Sequence, residues 1–108
     1  MRKEKQTPIG DLKAEAKSEA DLEILQVRRV VAGNPNTPRQ VLARLADDKS
    51  ASIRRAVAEN PRTPVELLKK LVFDNDYEVR LAVAENSNTP TETLALLACD
   101  NSADVRYG

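Results

Sequence analysis

From Val27 onward, apolar and polar positions follow an order that returns every 26 residues, with openings at 27, 53, 79 and 105. In the middle copy, Ile53, Ala56 and Val57 stand at i, i+3 and i+4, one face of a short helix. A polar bend, Asn60 to Pro64, follows, and then a second stripe made by Leu68, Leu71 and Val72. A polar corner, Asp74-Asn75-Asp76, closes the unit. The same order runs through VRRVVAGNPNTPRQVLARLADDKSAS (27–52) and VRLAVAENSNTPTETLALLACDNSAD (79–104), and VRYG begins a further copy at 105. No segment alternates as a half-buried strand does. The pattern predicts an all-α chain whose units each contribute two helices and bury their apolar faces on one another as a solenoid.

Local signals predict the element ends. The first helix of each unit stops at Asn34-Pro35 and Asn60-Pro61, because the residue before proline is pushed out of the α region. Ser87 replaces that proline in the third unit, so its helix is expected to run slightly further. The second helix is expected to open at Thr-Pro, with Thr37, Thr63 and Thr89 as N-caps. Gln40, Glu66 and Glu92, three residues on, would complete a capping box. Ser50, Asp76 and Ser102 are placed to N-cap the first helix of the next unit.

Residues 1–26 leave the period: Thr7-Pro8 lies 30 residues before Thr37-Pro38. DLKAEAKSEADLEILQ is rich in helix formers and charge, and reads as a polar, degenerate unit capping the open end. The expected organisation is that cap, then units at 27–52, 53–78 and 79–104, with 105–108 opening a fourth.

Four polar positions recur: Arg28/Arg54/Arg80/Arg106, Asn34/Asn60/Asn86, Thr37/Thr63/Thr89 and Asp48/Asp74/Asp100. Stacked corners have backbone groups that need partners, so these rows are expected to be structural. Each asparagine amide is expected to bind the open backbone of its own bend. Asp48 and Arg54, Asp74 and Arg80, and Asp100 and Arg106 stand six apart and suit carboxylate–guanidinium pairs, which would leave Arg28 without an aspartate.

The form VRRAVAENPxTPxxLLxxLAxD, repeated over residues 27 to 106, resembles the leucine-rich repeat variant family. The resemblance implies a right-handed α-α superhelix similar in appearance to armadillo-type folds. It also implies units that combine an α-helix with a second short helix, often 3₁₀, and no strand. One architecture in that family holds an iron–sulfur centre on an N-terminal cysteine cluster. Cys99 alone cannot supply the four thiolates, so no redox function is implied.

Composition narrows the function by exclusion. Seventeen basic and seventeen acidic residues cancel, and nothing global recommends nucleic acid or an anionic membrane as partner. No apolar run approaches the roughly 20 residues that cross a bilayer. Histidine is absent, which removes the commonest general base and metal ligand, and no cofactor, metal or catalytic set is expected. Cys99 takes the slot of Asp47 and Phe73 and reads as a half-buried filler; a lone cysteine fits a reducing cytoplasm.

A non-catalytic scaffold for a protein partner is the leading expectation. The positions that change over the invariant frame are Arg29, Arg55 and Leu81 in the first helices and Arg44, Lys70 and Leu96 in the second, with Tyr107 beyond. The alternative is nucleic-acid or phosphate binding along a basic stripe of Arg28, Arg29, Arg54, Arg55, Lys69 and Lys70. At the C-terminal edge, Leu94, Leu97 and Ala98 have no second helix of a fourth unit over them. A second copy of the chain, or further sequence of a longer array, is expected to cover them.

Overall fold

The computed structural model describes residues 19–100, 102, 105 and 106. Among these the regular structure is helical: α1 (Glu19–Gly33), α2 (Arg39–Leu45), α3 (Ala51–Glu59), α4 (Val65–Leu71), α5 (Tyr77–Glu85) and α6 (Thr91–Leu97). The longer helices α1, α3 and α5 form one row, α3 packing on α1 at one side and on α5 at the other. The short helices α2, α4 and α6 each lean on the long helix before them, and α2 and α4 also touch the long helix that follows. The result is a helical repeat solenoid.

Burial along equivalent positions shows which face stacks on which neighbour. Ile53, Val79 and Val105 are at most 1% exposed, whereas Val27, their equivalent in the first unit, is 61% exposed. That position therefore packs against the preceding unit. Leu42 and Leu68 are buried, and Leu94 is 39% exposed; Ala46 and Val72 are buried, and Ala98 is exposed. Those positions are covered by the unit that follows. Leu97, grouped in the sequence with the uncovered edge, is buried in the same cluster as Val105. Alanine at 32 and 58 is fully buried, as it must be where helix backbones approach closely.

Several element ends differ from their expected form. The short helices are α-helical in the body, with three-residue closures at the ends, such as Val41 N–H to Pro38 O (3.0 Å) and Asp47 N–H to Arg44 O (3.1 Å). Their N-cap is the proline: Pro64 O accepts from Leu68 N–H at 3.2 Å, and no side chain caps the end. Thr37, Thr63 and Thr89 therefore lie one residue outside the helix, and the capping box with Gln40, Glu66 and Glu92 is not formed. α5 stops at Glu85, as α3 stops at Glu59, although Ser87 stands where Pro61 does. The bend ends the helix without the proline, through Asn86 and Thr89. At the other corners Ser50 and Asp76 take the N-cap position; the Asp76 carboxylate accepts from Glu78 N–H at 2.8 Å as expected, whereas the Ser50 hydroxyl makes no cap bond and meets Ser52 Oγ at 2.8 Å. α1 runs across position 26 without a corner. Residues 1–18 of the expected 1–26 cap lie outside the described residues.

Candidate functional site

The recurring polar residues are consumed inside the array. Arg54 donates from Nε and Nη2 to the Asp74 carboxylate (2.8 and 3.2 Å) and from Nη1 to the main-chain carbonyl of Asp48 (2.8 Å). Arg80 repeats this on Asp100 (2.7 and 3.2 Å) and on Asp74 O (2.8 Å), and Arg106 donates to Asp100 O. The carboxylate partner is thus the aspartate 20 residues ahead, and the aspartate six residues back is held by its backbone. This corrects the expected six-residue ion pair. Arg28 is not left alone: its Nε lies 3.2 Å from Asp48 Oδ2, close enough for charge attraction but without a hydrogen bond.

Each aspartate also closes its own corner. Asp48, Asp74 and Asp100 Oδ1 accept from the N–H of Ser50, Asp76 and Ser102 at 2.9 Å. The Arg80 hydrogen bond, reinforced by that backbone donor, holds the Asp100 carboxyl below its ordinary range against the opposing effect of burial. The bond to Asp74 raises the Arg54 guanidinium, and the bond to Asp100 the Arg80 guanidinium, above their ordinary values.

Asparagine and threonine form a second ladder at the bends. Asn60 Nδ2 donates to Ala32 O (2.8 Å) and Asn34 O (2.9 Å) of the preceding unit, and Asn86 does the same to Ala58 O and Asn60 O. The amide oxygen serves its own bend, accepting from Arg62 N–H at 2.8 Å. The expected bond within the bend accounts for only this half of the role. Thr63 Oγ1 donates back to Val57 O at the end of α3, and Thr89 Oγ1 to Val83 O at 2.7 Å. Each hydroxyl is a second donor to a carbonyl that already accepts from Asn60 N–H (3.1 Å) or Asn86 N–H (3.2 Å), so both ties close the helix end. Asn60 and Thr63 are almost fully buried.

The variable positions divide between the two helix rows. Arg29 and Arg55 are exposed on α1 and α3, and Leu81, on α5, is half-buried against the core. Arg55 pairs with Glu59 (2.9 Å) and Glu78 (3.4 Å), and with Leu81 and Glu85 these side chains line a small cleft of about 50 Å³. Arg44, Lys70 and Leu96 are exposed on the short helices, and Lys70 pairs with Asp47 across a junction. Leu96 lines a different recess, an open groove of about 350 Å³ with Phe73, Val72, Leu97 and Cys99 and with the Arg80–Asp100 ion pair along it. Leu81 and Leu96 are therefore not brought together. Cys99 is exposed, not half-buried, as are Asp47 and Phe73 in the same slot. Tyr107 lies outside the described residues.

The basic stripe is also divided. Arg28 and Arg54 are tied to Asp48 and Asp74, Arg29 and Arg55 project from the long helices, and Lys69 and Lys70 from α4. Among the described residues no cluster of three or more His, Cys, Asp or Glu could hold a metal ion, and no helix is long and apolar enough to cross a membrane.

Stacked two-helix units held by repeated Arg–Asp and Asn–carbonyl bonds define a helical repeat protein. The Leucine Rich Repeat Variant domain profile matches residues 28–87, and the Leucine rich repeat variant profile matches residues 77–101. The chain belongs to the leucine-rich repeat variant family. Comparison with curated proteins and with solved structures returned no match.

Proposed function

We propose that the chain is a non-catalytic scaffold that binds a protein partner through its exposed, variable helix surface. One observation carries this reading: the recurring polar side chains are spent on bonds within and between units, whereas other helix positions change from unit to unit. Arg29, Arg55 and Leu81 occupy one such position on the long helices, and Arg44, Lys70 and Leu96 another on the short ones. A frame that holds itself together internally leaves its outer positions free to be set by a partner. Nucleic acid is a poorer fit, because Arg28 and Arg54 already carry carboxylates and formal charges cancel over the chain.

The test is capture from native extract by the immobilised full chain, compared with the doubly substituted forms R55E/L81R and K70E/L96K. A protein retained by the parent chain and lost with one double substitution, at unchanged melting temperature, supports the scaffold. Retention of the same proteins by the parent, both variants and an unrelated bait overturns it.

A further inference from the structure

At the junction between the first two units, the outer faces of the short helices are tied by two ion pairs, Arg39–Glu66 and Asp47–Lys70. One period on, the same paired positions hold Val65 with Glu92 and Phe73 with Leu96. Charge has given way to exposed apolar surface: Phe73 is 75% exposed, Leu96 53% and Val65 37%. Stacking does not require this, since Leu68, Leu71, Val72 and Leu97 are already buried beneath it. Glu92 has lost the arginine that its equivalent Glu66 holds. Among the described residues, Lys69, one turn before Phe73, has no ion-pair partner either. The patch is thus an apolar centre with a groove beside it, flanked by one unpaired cation and one unpaired anion.

We propose that this α4–α6 face is the contact surface of a two-fold homodimer. A complement to the patch must offer apolar side chains together with one anion and one cation. A second copy turned through a two-fold axis offers that set, because an isologous interface places residue i against j and j against i. Phe73 of each copy enters the groove between Phe73 and Leu96 of the other, and Lys69 of each faces Glu92 of the other. The chain's formal charge of zero puts no long-range repulsion between copies. Such a dimer presupposes that the solenoid surface binds protein, and it assigns the partner for the short-helix set only. Cys99 lines the same groove and is the only cysteine, so any disulfide must join two chains and reports their approach.

The experiment is sedimentation equilibrium of the reduced full chain from low to high micromolar concentration. A monomer–dimer equilibrium is expected in the parent chain. F73K/L96K should be monomeric, with a melting curve unchanged at concentrations where the parent is also monomeric. K69E and E92K should each weaken the dimer about tenfold, and K69E/E92K should restore it, the signature of a charge pair across the interface. Mild oxidation should trap a Cys99 disulfide dimer in the parent and not in F73K/L96K. A parent chain that stays monomeric throughout overturns the dimer, as does a dimer that survives F73K/L96K. Neither result touches capture of another protein through Arg55 and Leu81, so the two proposals fail separately.

Discussion

Arg54 joins two corners of the solenoid: its guanidinium grips the Asp74 side chain at 2.8 and 3.2 Å and the Asp48 main-chain carbonyl at 2.8 Å. Two of these bonds lie side by side on one carboxylate while Nη1 reaches the other corner, which the planar fork of arginine permits and the single ammonium of lysine does not. Removing it strands a carboxylate whose side chain is 8% exposed. Arg54→Ala should therefore cost about 2–3 kcal/mol in urea denaturation, and Arg54→Lys should recover little of it. Arg55→Ala, next in sequence but paired only with exposed glutamates, should stay within about 0.5 kcal/mol. Equal effects at 54 and 55 would refute a structural ladder.

Asn60 does for the bends what Arg54 does for the corners. Asn60→Ala takes the side-chain donor from the Ala32 carbonyl, leaves the Asn34 carbonyl only its bond from Thr37 N–H, and strips the Arg62 N–H of its acceptor. The expected cost is about 2–3 kcal/mol. Asn34 is exposed, and its side chain accepts only from Asn36 N–H, at 2.8 Å. Asn34→Ala should cost about 1 kcal/mol or less. Comparable denaturation midpoints for the two would mean that the bonds between units contribute nothing.

The period, the two helices per unit and the buried stripes were legible because they depend on residues close in sequence. Partner choice was not. In a chain repeating every 26 residues, Arg54 has an aspartate six residues back and another 20 residues ahead, and spacing alone does not rank them. Stacking engages both, one by its carbonyl and one by its carboxylate. Thr63 and Glu66 have the composition of a capping box, but the Pro64 carbonyl starts the helix and leaves the threonine hydroxyl facing back to Val57. The exposure of Cys99 had a readable signal in Asp47, since a charged residue in the same periodic slot marks it as solvated. The patch at Phe73 and Leu96 was harder to read. The observed Asp47–Lys70 contact is what reveals that these two positions, and Phe73 and Leu96 one period on, meet across a junction.

Acid should loosen the array at its last described corner. Arg80 holds the Asp100 carboxyl below its ordinary range, so on acidification the unfolded chain takes up that proton first. The stability contributed by the pair is fully present above the unfolded value of about 3.9. It is lost as pH falls through the lower folded value. Asp100→Asn should be less stable than the parent at neutral pH, and the difference between their melting temperatures should narrow from about pH 5 downward. A gap that stays constant to the acid limit would show that the ion pair contributes no pH-dependent stability.

Ser87 offers a test in the stabilising direction. The bend after α5 repeats the one after α3: Asn86 has φ −79° and ψ 126°, and Asn60, which precedes Pro61, has φ −70° and ψ 124°. Asn86 is therefore already in the extended region that a following proline demands. The 60–63 and 86–89 bends close with the same bonds, Thr63 N–H to Asn60 O and Thr89 N–H to Asn86 O, both 3.1 Å. Ser87 N–H is not among the backbone donors of the bend, so a proline would forfeit no hydrogen bond there. Ser87 is also exposed, so the ring meets no packed neighbour. What changes is the unfolded chain, which loses conformations it would otherwise sample. Ser87→Pro should stabilise the protein by about 0.4–1 kcal/mol, read as a rise of a few degrees in melting temperature. A fall instead would mean that residue 87 cannot adopt the backbone of Pro61, and that the two bends differ where their neighbours agree.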